Sequence, residues 1–215
     1  VRAFFDDGTP LGSHTREECR IDSLSQSFAE LSNMPNKERI YQGLENAYLK
    51  LVNRSAEIIS LFDPPFSGKD KKVGYVSAYP PGIRENGGQY THGAIWLAAA
   101  LLQNGQHEKG YELIKLLNPA EKCENKVIAN RYKNEPYYMS ADIYTNSQCF
   151  GRGGWSIYTG AASWYYRIIF EWLLGIKIDR TLKLNPRIPS EWEGFSAKLI
   201  YKKTVITLDI SKGDD

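Results

Sequence analysis

From Ile21 onward the apolar residues Ile21, Leu24, Phe28 and Leu31 return every three or four positions. Asp22 or Ser23 is placed to cap this segment and Pro35 to stop it, so the spacing predicts a helix. Asn36 opens a longer helix with Ile40, Leu44, Ala47, Tyr48 and Leu51 on one face, and Ile58 and Leu61 extend the pattern towards Pro64-Pro65. Residues 62–89 are broken by prolines and glycines and carry a lysine cluster at Lys69, Lys71 and Lys72. They are also rich in Tyr, Arg, Glu and Asn, which fits a functional loop better than a linker.

Residues 91–104 read as a helix through Ile95, Trp96, Ala99 and Leu102, ended by Gly105, and residues 108–117 as its antiparallel partner, ended by Pro119. Residues 118–138 lack a period, a short helix is expected over 139–145, and Gly151-Arg152-Gly153-Gly154 breaks the chain again. Residues 161–174 form the most apolar helix, expected to be buried on most sides, with Gly175 as its cap. Beyond Ile178 the period falls to two, at Leu182 and Leu184 and either side of Lys202-Lys203, which predicts a small β tail. Helix pairs joined by long loops fit an α/α toroid or a bundle.

The 215 residues, 42% hydrophobic and 24% charged, suffice for a core and exclude a large multidomain machine. A net charge of +2 with no long basic run gives no electrostatic footprint for nucleic acid. No segment has the roughly 18 continuous apolar residues of a membrane span, and the first twenty do not follow a signal-peptide pattern. Cys19, Cys123 and Cys149 form no CxxC pair and cannot all be bridged, which points to a reducing, cytoplasmic setting without structural zinc. The chain opens without Met inside a turn-like Asp6-Asp7-Gly8-Thr9-Pro10, as a piece of a longer protein would.

A phosphate-binding GxxxxGK[ST] loop, a GxSxG elbow and the paired histidines of a metalloprotease are all missing, and Ser156 stands where a dinucleotide fingerprint needs its third glycine. Three dense segments remain: 79–92, 132–138 and 151–160. Their carboxylates, amides and aromatic rings suit a sugar, whose hydroxyls pair with polar groups while its C–H faces stack on rings.

The phrases YPPGIRENGGQYTH, NEPYYMSADIY and GRGGWSIYTGAASW, in that order, resemble the inverting β-glucoside phosphorylases of glycoside hydrolase family 94, the relatives of cellobiose and chitobiose phosphorylase. FFDDGTPLGS, CRIDSLSQSF and LNPRIPSEWEGF extend the likeness over nearly the whole chain, most of all to the C-terminal region of the cyclic β-1,2-glucan synthases. The resemblance implies a mainly α fold: the later helix pairs of an (α/α)6 toroid over residues 1–178, then a β-rich segment over 179–215. It implies inverting phosphorolysis of a β-glucan, with inorganic phosphate as co-substrate and neither cofactor nor metal. The family's general acid, an aspartate, and a phosphate-holding arginine are expected upstream of residue 1, so the upstream part of the parent chain is a required partner.

By the same resemblance the phosphate contacts fall on His92, Thr159 and Gly160. Thr159 and Gly160 stand just ahead of the helix expected from Ala161, where unpaired amides attract an anion. Glu85, Gln89, Tyr90, Glu135, Tyr137, Arg152 and Trp155 fall in the other matched phrases as sugar-binding candidates. Periodicity alone makes His92 a cap, Thr159-Gly160 a helix start and Glu135 a turn carboxylate. His14, His107 and Asp142 read as structural, and Trp164, Tyr165, Phe170 and Trp172 as core aromatics. Two rival functions stand beside phosphorolysis: a noncatalytic glycan-binding module of a larger synthase, and a toroidal hydrolase using Glu85 or Glu135.

Overall fold

The computed structural model describes residues 1–68 and 73–213, so the lysine cluster at Lys69, Lys71 and Lys72 lies outside the described residues. Strands β1 (Ala3–Phe4) and β2 (Pro10–Leu11) pair antiparallel around the Asp6-Asp7 turn, in which the Asp7 carboxylate accepts from the Thr9 amide at 2.8 Å. Strand β3 (Ile21–Asp22) leads into helix α1 (Ser23–Leu31), whose Asp22 cap accepts from the Leu24 and Ser25 amides and is paired with Arg2. Ile21 therefore belongs to the strand rather than the helix.

The buried face of α1 is not the apolar one. Ser23, Ser27 and Glu30 are buried, whereas Phe28 is 47% exposed. Small serines let α1 pack closely on α3, where a Cβ on Gly93 would come within 2.7 Å of Leu61 and 3.7 Å of Ser23 Oγ. Glu30 is tolerated because Asn104 donates to its carboxylate at 3.0 Å and Lys37 lies 3.7 Å away.

Helix α2 (Lys37–Leu51) starts on Asn36, which adopts a left-handed conformation and accepts from the Arg39 amide, and it buries Ile40, Leu44, Ala47 and Leu51 as the spacing predicts. It does not run on to Ile58 and Leu61. Strand β4 (Val52–Asn53) turns back onto β5 (Ile58–Ile59), so those apolar residues mark a strand pair, and β6 (Phe62–Asp63) pairs with β3.

Strand β7 (Gln89–Tyr90) runs into α3 (Thr91–Gln103), which is buried all round from Gly93 to Leu102 apart from Trp96. This helix, and not the one after residue 158, is the most deeply set. Each large side chain such as Leu97 or Leu101 contributes about 1.5–3 kcal/mol by leaving water. Helix α4 (His107–Leu117) lies antiparallel on it, and Gly110 permits the approach, since a Cβ there would fall 2.6 Å from Leu102 Cγ.

Pro119 opens α5 (Pro119–Glu124) rather than ending α4 at a loop, and α6 (Lys126–Tyr132) follows on the Asn125 cap. Residues 118–132 are thus two short helices, held by Asn caps and by packing of Ile128 and Tyr132, whose period is too brief to read from sequence. The expected helix over 139–145 is instead strand β8 (Asp142–Ile143), paired with β7.

Helix α7 (Thr159–Arg167) continues as a wider π-helical turn, Ile168–Leu173, and Gly175 adopts φ +65° beyond it. Only Ala161, Ile168 and Leu173 of this stretch are buried; Tyr166 is 62% exposed. Strand β9 (Ile176–Ile178) pairs with β10 (Leu182–Leu184), and β11 (Gly194–Tyr201) with β12 (Thr204–Ser211). The two-residue turn Lys202-Lys203 has positive φ at both positions, the conformation whose twist suits a tight hairpin. The architecture is mainly α with small C-terminal sheets.

Candidate functional site

Residues 139–146 form the middle of an irregular three-stranded seam. On one side β7 pairs with β8, Gln89 opposite Ile143 and Tyr90 opposite Asp142. Backbone bonds Thr91 N to Ala141 O and Thr145 N to Gly82 O, both 2.9 Å, extend the contact along the 79–92 loop, and Asn146 donates to the Pro81 carbonyl at 2.8 Å. On the other side residues 151–158 are bound through Gly154 N to Asp142 O at 2.9 Å, Ala141 N to Trp155 O at 2.8 Å and Tyr158 N to Met139 O at 3.1 Å. The segments 79–92 and 151–160 thus meet across one central strand, which delivers them to the starts of α3 and α7.

Asn86 locks the first flank. Its buried amide accepts from Phe66 N and donates to the Phe66 and Tyr79 carbonyls, while Arg84 takes a left-handed conformation at the tip. Gly82 must be glycine: its φ is +81° and a Cβ would meet the Asn146 amide nitrogen at 2.4 Å. Glu85 follows this strained turn, with its Oε2 buried and unpartnered.

His92 and Gly160 come together. A Cβ on Gly160 would lie 3.1 Å from His92 Nε2, so the imidazole edge faces the first turn of α7. Helix α7 begins at Thr159, two residues earlier than the apolar pattern suggests, so Thr159 and Gly160 are its first two residues rather than its approach. Tyr158 precedes them and supplies no side-chain cap to the first-turn amides, and both residues are exposed. The helix dipole and these amides offer positive potential beside the imidazole.

The His92 ring is set among Tyr90, Trp96 and Tyr158, with centroids 5.3–5.6 Å away. Burial among these rings lowers its pKa and favours the neutral imidazole. A neutral ring offers hydrogen bonding rather than charge, and the helix end beside it carries the positive potential. Its Nδ1 is buried without a partner. Burial and the neighbouring Tyr158 hydroxyl push the Tyr90 phenol up to about 12, so it stays protonated and able to donate.

The sugar-binding candidates divide. Trp155 is 59% exposed with its ring 5.5 Å from Tyr158, and Arg152 is exposed on the same flank. Glu135 and Tyr137 are exposed on the turn after α6, Tyr137 against Tyr138, and the same segment joins the seam through Gly153 N to Tyr132 O at 2.8 Å and Asn134 Nδ2 to Gly154 O at 3.2 Å. Gln89 is committed to the interior, since it is buried and its Oε1 accepts from the Ile59 amide at 2.8 Å. A hollow of about 970 Å³ between Phe5, Arg16 and Phe66 holds none of these candidates.

Asp142, read from the sequence as structural, lies at the centre of the seam, 2% exposed, with Oδ2 unpartnered. Burial raises its pKa, opposed by the Arg84 guanidinium and by the Trp155 and Arg84 backbone amides. It falls inside NEPYYMSADIY, in the strand that stands where the sequence predicts a helix. Among the described residues no group of three or more His, Cys, Asp or Glu side chains could hold a metal ion, and no helix is long and apolar enough to cross a membrane.

Residues 1–175 match the family described as the glycosyl hydrolase 94 superfamily, catalytic domain. The chain belongs to the glycosyl hydrolase 94 superfamily. Residues 177–214 match the glycosyl hydrolase family 65 C-terminal domain. Among curated relatives, the cyclic beta-(1,2)-glucan synthase NdvB of Rhizobium meliloti is 42% identical over 98% of this chain and 8% of its own length. The N,N'-diacetylchitobiose phosphorylase of Vibrio proteolyticus is 26% identical over 100% of the chain and 26% of its own length, and the solabiose phosphorylase of Paenibacillus borealis 28% identical over 98% and 27%. The chain thus spans about a quarter or less of each of these glycosyl hydrolase 94 relatives. Their names join the family to phosphorolysis and to glucan synthesis.

Proposed function

We propose that this chain is the later part of a toroidal phosphorylase domain acting on a β-glucan, β-1,2-linked, in the cytoplasm. It holds inorganic phosphate against His92, Thr159 and Gly160, and glycan along Glu85, Tyr90, Arg152 and Trp155. The observation that carries the reading is the approach of the His92 imidazole edge to Gly160 at the uncapped start of α7. A neutral donor and free amides suit an ion that must be held and aimed.

In this reading a phosphate oxygen attacks the anomeric carbon from the face opposite the leaving group. The new C–O bond forms as the glycosidic C–O bond breaks, and an upstream aspartic acid passes its proton to the departing oxygen, giving a sugar 1-phosphate of inverted configuration. Phosphate arrives already ionised, so the second carboxylate that an inverting hydrolase needs to activate water has no counterpart here. The proton donor lies in the part of the parent protein before this chain.

The chain alone is then expected to make no sugar 1-phosphate from β-1,2-glucooligosaccharides, and phosphate-dependent product is expected once the preceding segment is restored. Free sugar released by the restored protein without phosphate would overturn the phosphorylase reading. A second reading, a glycan-positioning module without catalysis, is favoured by the exposed rings of Tyr137 and Trp155, which offer stacking surfaces. Glycan binding with no phosphorolysis by the restored protein would select it.

A further inference from the structure

Helix α1 is amphipathic the wrong way round: Ser23, Ser27 and Glu30 are buried, while Phe28 is 47% exposed. The Phe28 ring meets Trp96 of α3 edge to face at 5.3 Å. Trp96 is the residue between Gly93 and Leu102 that the core leaves partly open, and it meets Trp164 of α7 edge to face at 5.8 Å. Arg167, 4.6 Å over the Trp164 ring and paired with Glu171, forms a charged rim. Side chains from three neighbouring helices thus make one aromatic strip. Its inner end is the proposed anion site, since the Trp96 ring lies 5.6 Å from that of His92. Helices α2 and α4 pack on α1 and α3 without covering Phe28. Burying serines while a phenylalanine stays bare makes sense only if a further contact covers it, because contiguous exposed apolar surface with a polar rim marks an interface.

We propose that the strip of Phe28, Trp96 and Trp164 is the docking face for the segment of the parent protein that precedes this chain, and that this contact carries the proton donor to the anion held by His92, Thr159 and Gly160. The identity of the occupant rests on the functional reading above. The groups gathered at the anion end are an imidazole, a hydroxyl and backbone amides, none of them a carboxylic acid, so the donor has to be delivered beside them. The strip is the apolar surface that leads there. The chain corresponds to 26% and 27% of the length of the two phosphorylase relatives, so most of each of those proteins lies outside the matched part. A second copy of this chain seated on the strip would bring the same three rings and no donor.

The test is hydroxyl-radical footprinting, read residue by residue by mass spectrometry, on the unsubstituted chain and on the protein restored with its preceding segment. Phe28 is expected to be oxidised in the chain alone and, in the restored protein, to fall to the level of the fully buried Phe62, with Trp164 falling alongside. Leu49, 66% exposed on α2, should be oxidised equally in both. Phe28→Asp in the restored protein should lower phosphorolysis about a hundredfold, as a misplaced acid would, while the same substitution leaves phosphate binding by the chain alone unchanged. Equal oxidation of Phe28 with and without the preceding segment, or undiminished phosphorolysis in Phe28→Asp, would overturn the proposal. So would protection in the chain alone that grows with protein concentration, the mark of a second copy, or protection brought about there by a β-1,2-linked glucooligosaccharide, the mark of a glycan platform. A restored protein that covers Phe28 yet makes no sugar 1-phosphate would overturn the functional reading and leave the interface standing.

Discussion

Helices α3 and α7 both carry a residue of the proposed phosphate site at their first turn, yet they are built in opposite ways. Helix α3 is sunk in the core, buried nearly all round from Gly93 to Leu102, so His92 is carried on the most rigidly packed element of the described chain. Helix α7 is anchored through Ala161 and, beyond it, Ile168 and Leu173, with Ala162, Ser163 and Tyr166 exposed. One partner of the proposed anion site is fixed by the hydrophobic effect and the other by a few contacts and the seam's backbone bonds. Stability and binding should therefore respond separately to substitutions in the two helices.

The largest effect is expected in the interior. Leu101→Ala removes a fully buried side chain from α3 and should destabilise the fold by about 2–5 kcal/mol, read by denaturant unfolding. Next, Gly160→Ala places a methyl about 3.1 Å from His92 Nε2 and should weaken phosphate binding about tenfold with little change in unfolding, as one donor contact is disturbed. A large loss of stability in Gly160→Ala would mean that α7 is as deeply anchored as α3.

The pH response separates the two ends further. Burial lowers the folded-state pKa of His92 below its unfolded value of 6.5, so below that value the unfolded chain binds more protons than the folded one. The stability contributed by neutral His92 is present above pH 6.5 and is lost as pH falls through the window between 6.5 and the lower folded value. His92→Gln should thus show a shallower fall in melting temperature from pH 7 to pH 5 than the unsubstituted chain; parallel curves would contradict the burial assigned to the ring. The smallest effect is expected at Tyr166→Ala, on the exposed face of α7, at about 0.5 kcal/mol or less.

The sequence made the long amphipathic helices readable because their period repeats several times: α2 buries Ile40, Leu44, Ala47 and Leu51 on the expected face. Segments with too few turns were misread. Ile58 and Leu61 looked like more helix but belong to the return after β4, and residues 139–145 looked helical but are the central strand, because strand pairing is decided by partners far away in sequence. In α1, Ser23 and Ser27 are buried and Phe28 is half-exposed because close approach to α3 outweighs the local apolar stripe.

The candidate site reads from the sequence as phrases and not as geometry. His92 with Thr159-Gly160 was named from the matched segments, and the fold brings the imidazole and Gly160 within contact range. Nothing in the period of the chain separates Gln89, spent on the Ile59 amide, from Trp155, open to solvent. Asp142 reads from the sequence as structural within a helix, and the fold places it instead in the central strand with backbone bonds to both flanks.

The central claim, an anion held between the His92 ring and the first amides of α7, is tested most directly by following the backbone amide resonances of Thr159 and Gly160 during titration with inorganic phosphate. The account predicts saturable shifts at these two amides, moving together with the His92 ring resonances and greatly reduced in His92→Ala. Unmoved Thr159 and Gly160 amides in a folded chain saturated with phosphate elsewhere would contradict it.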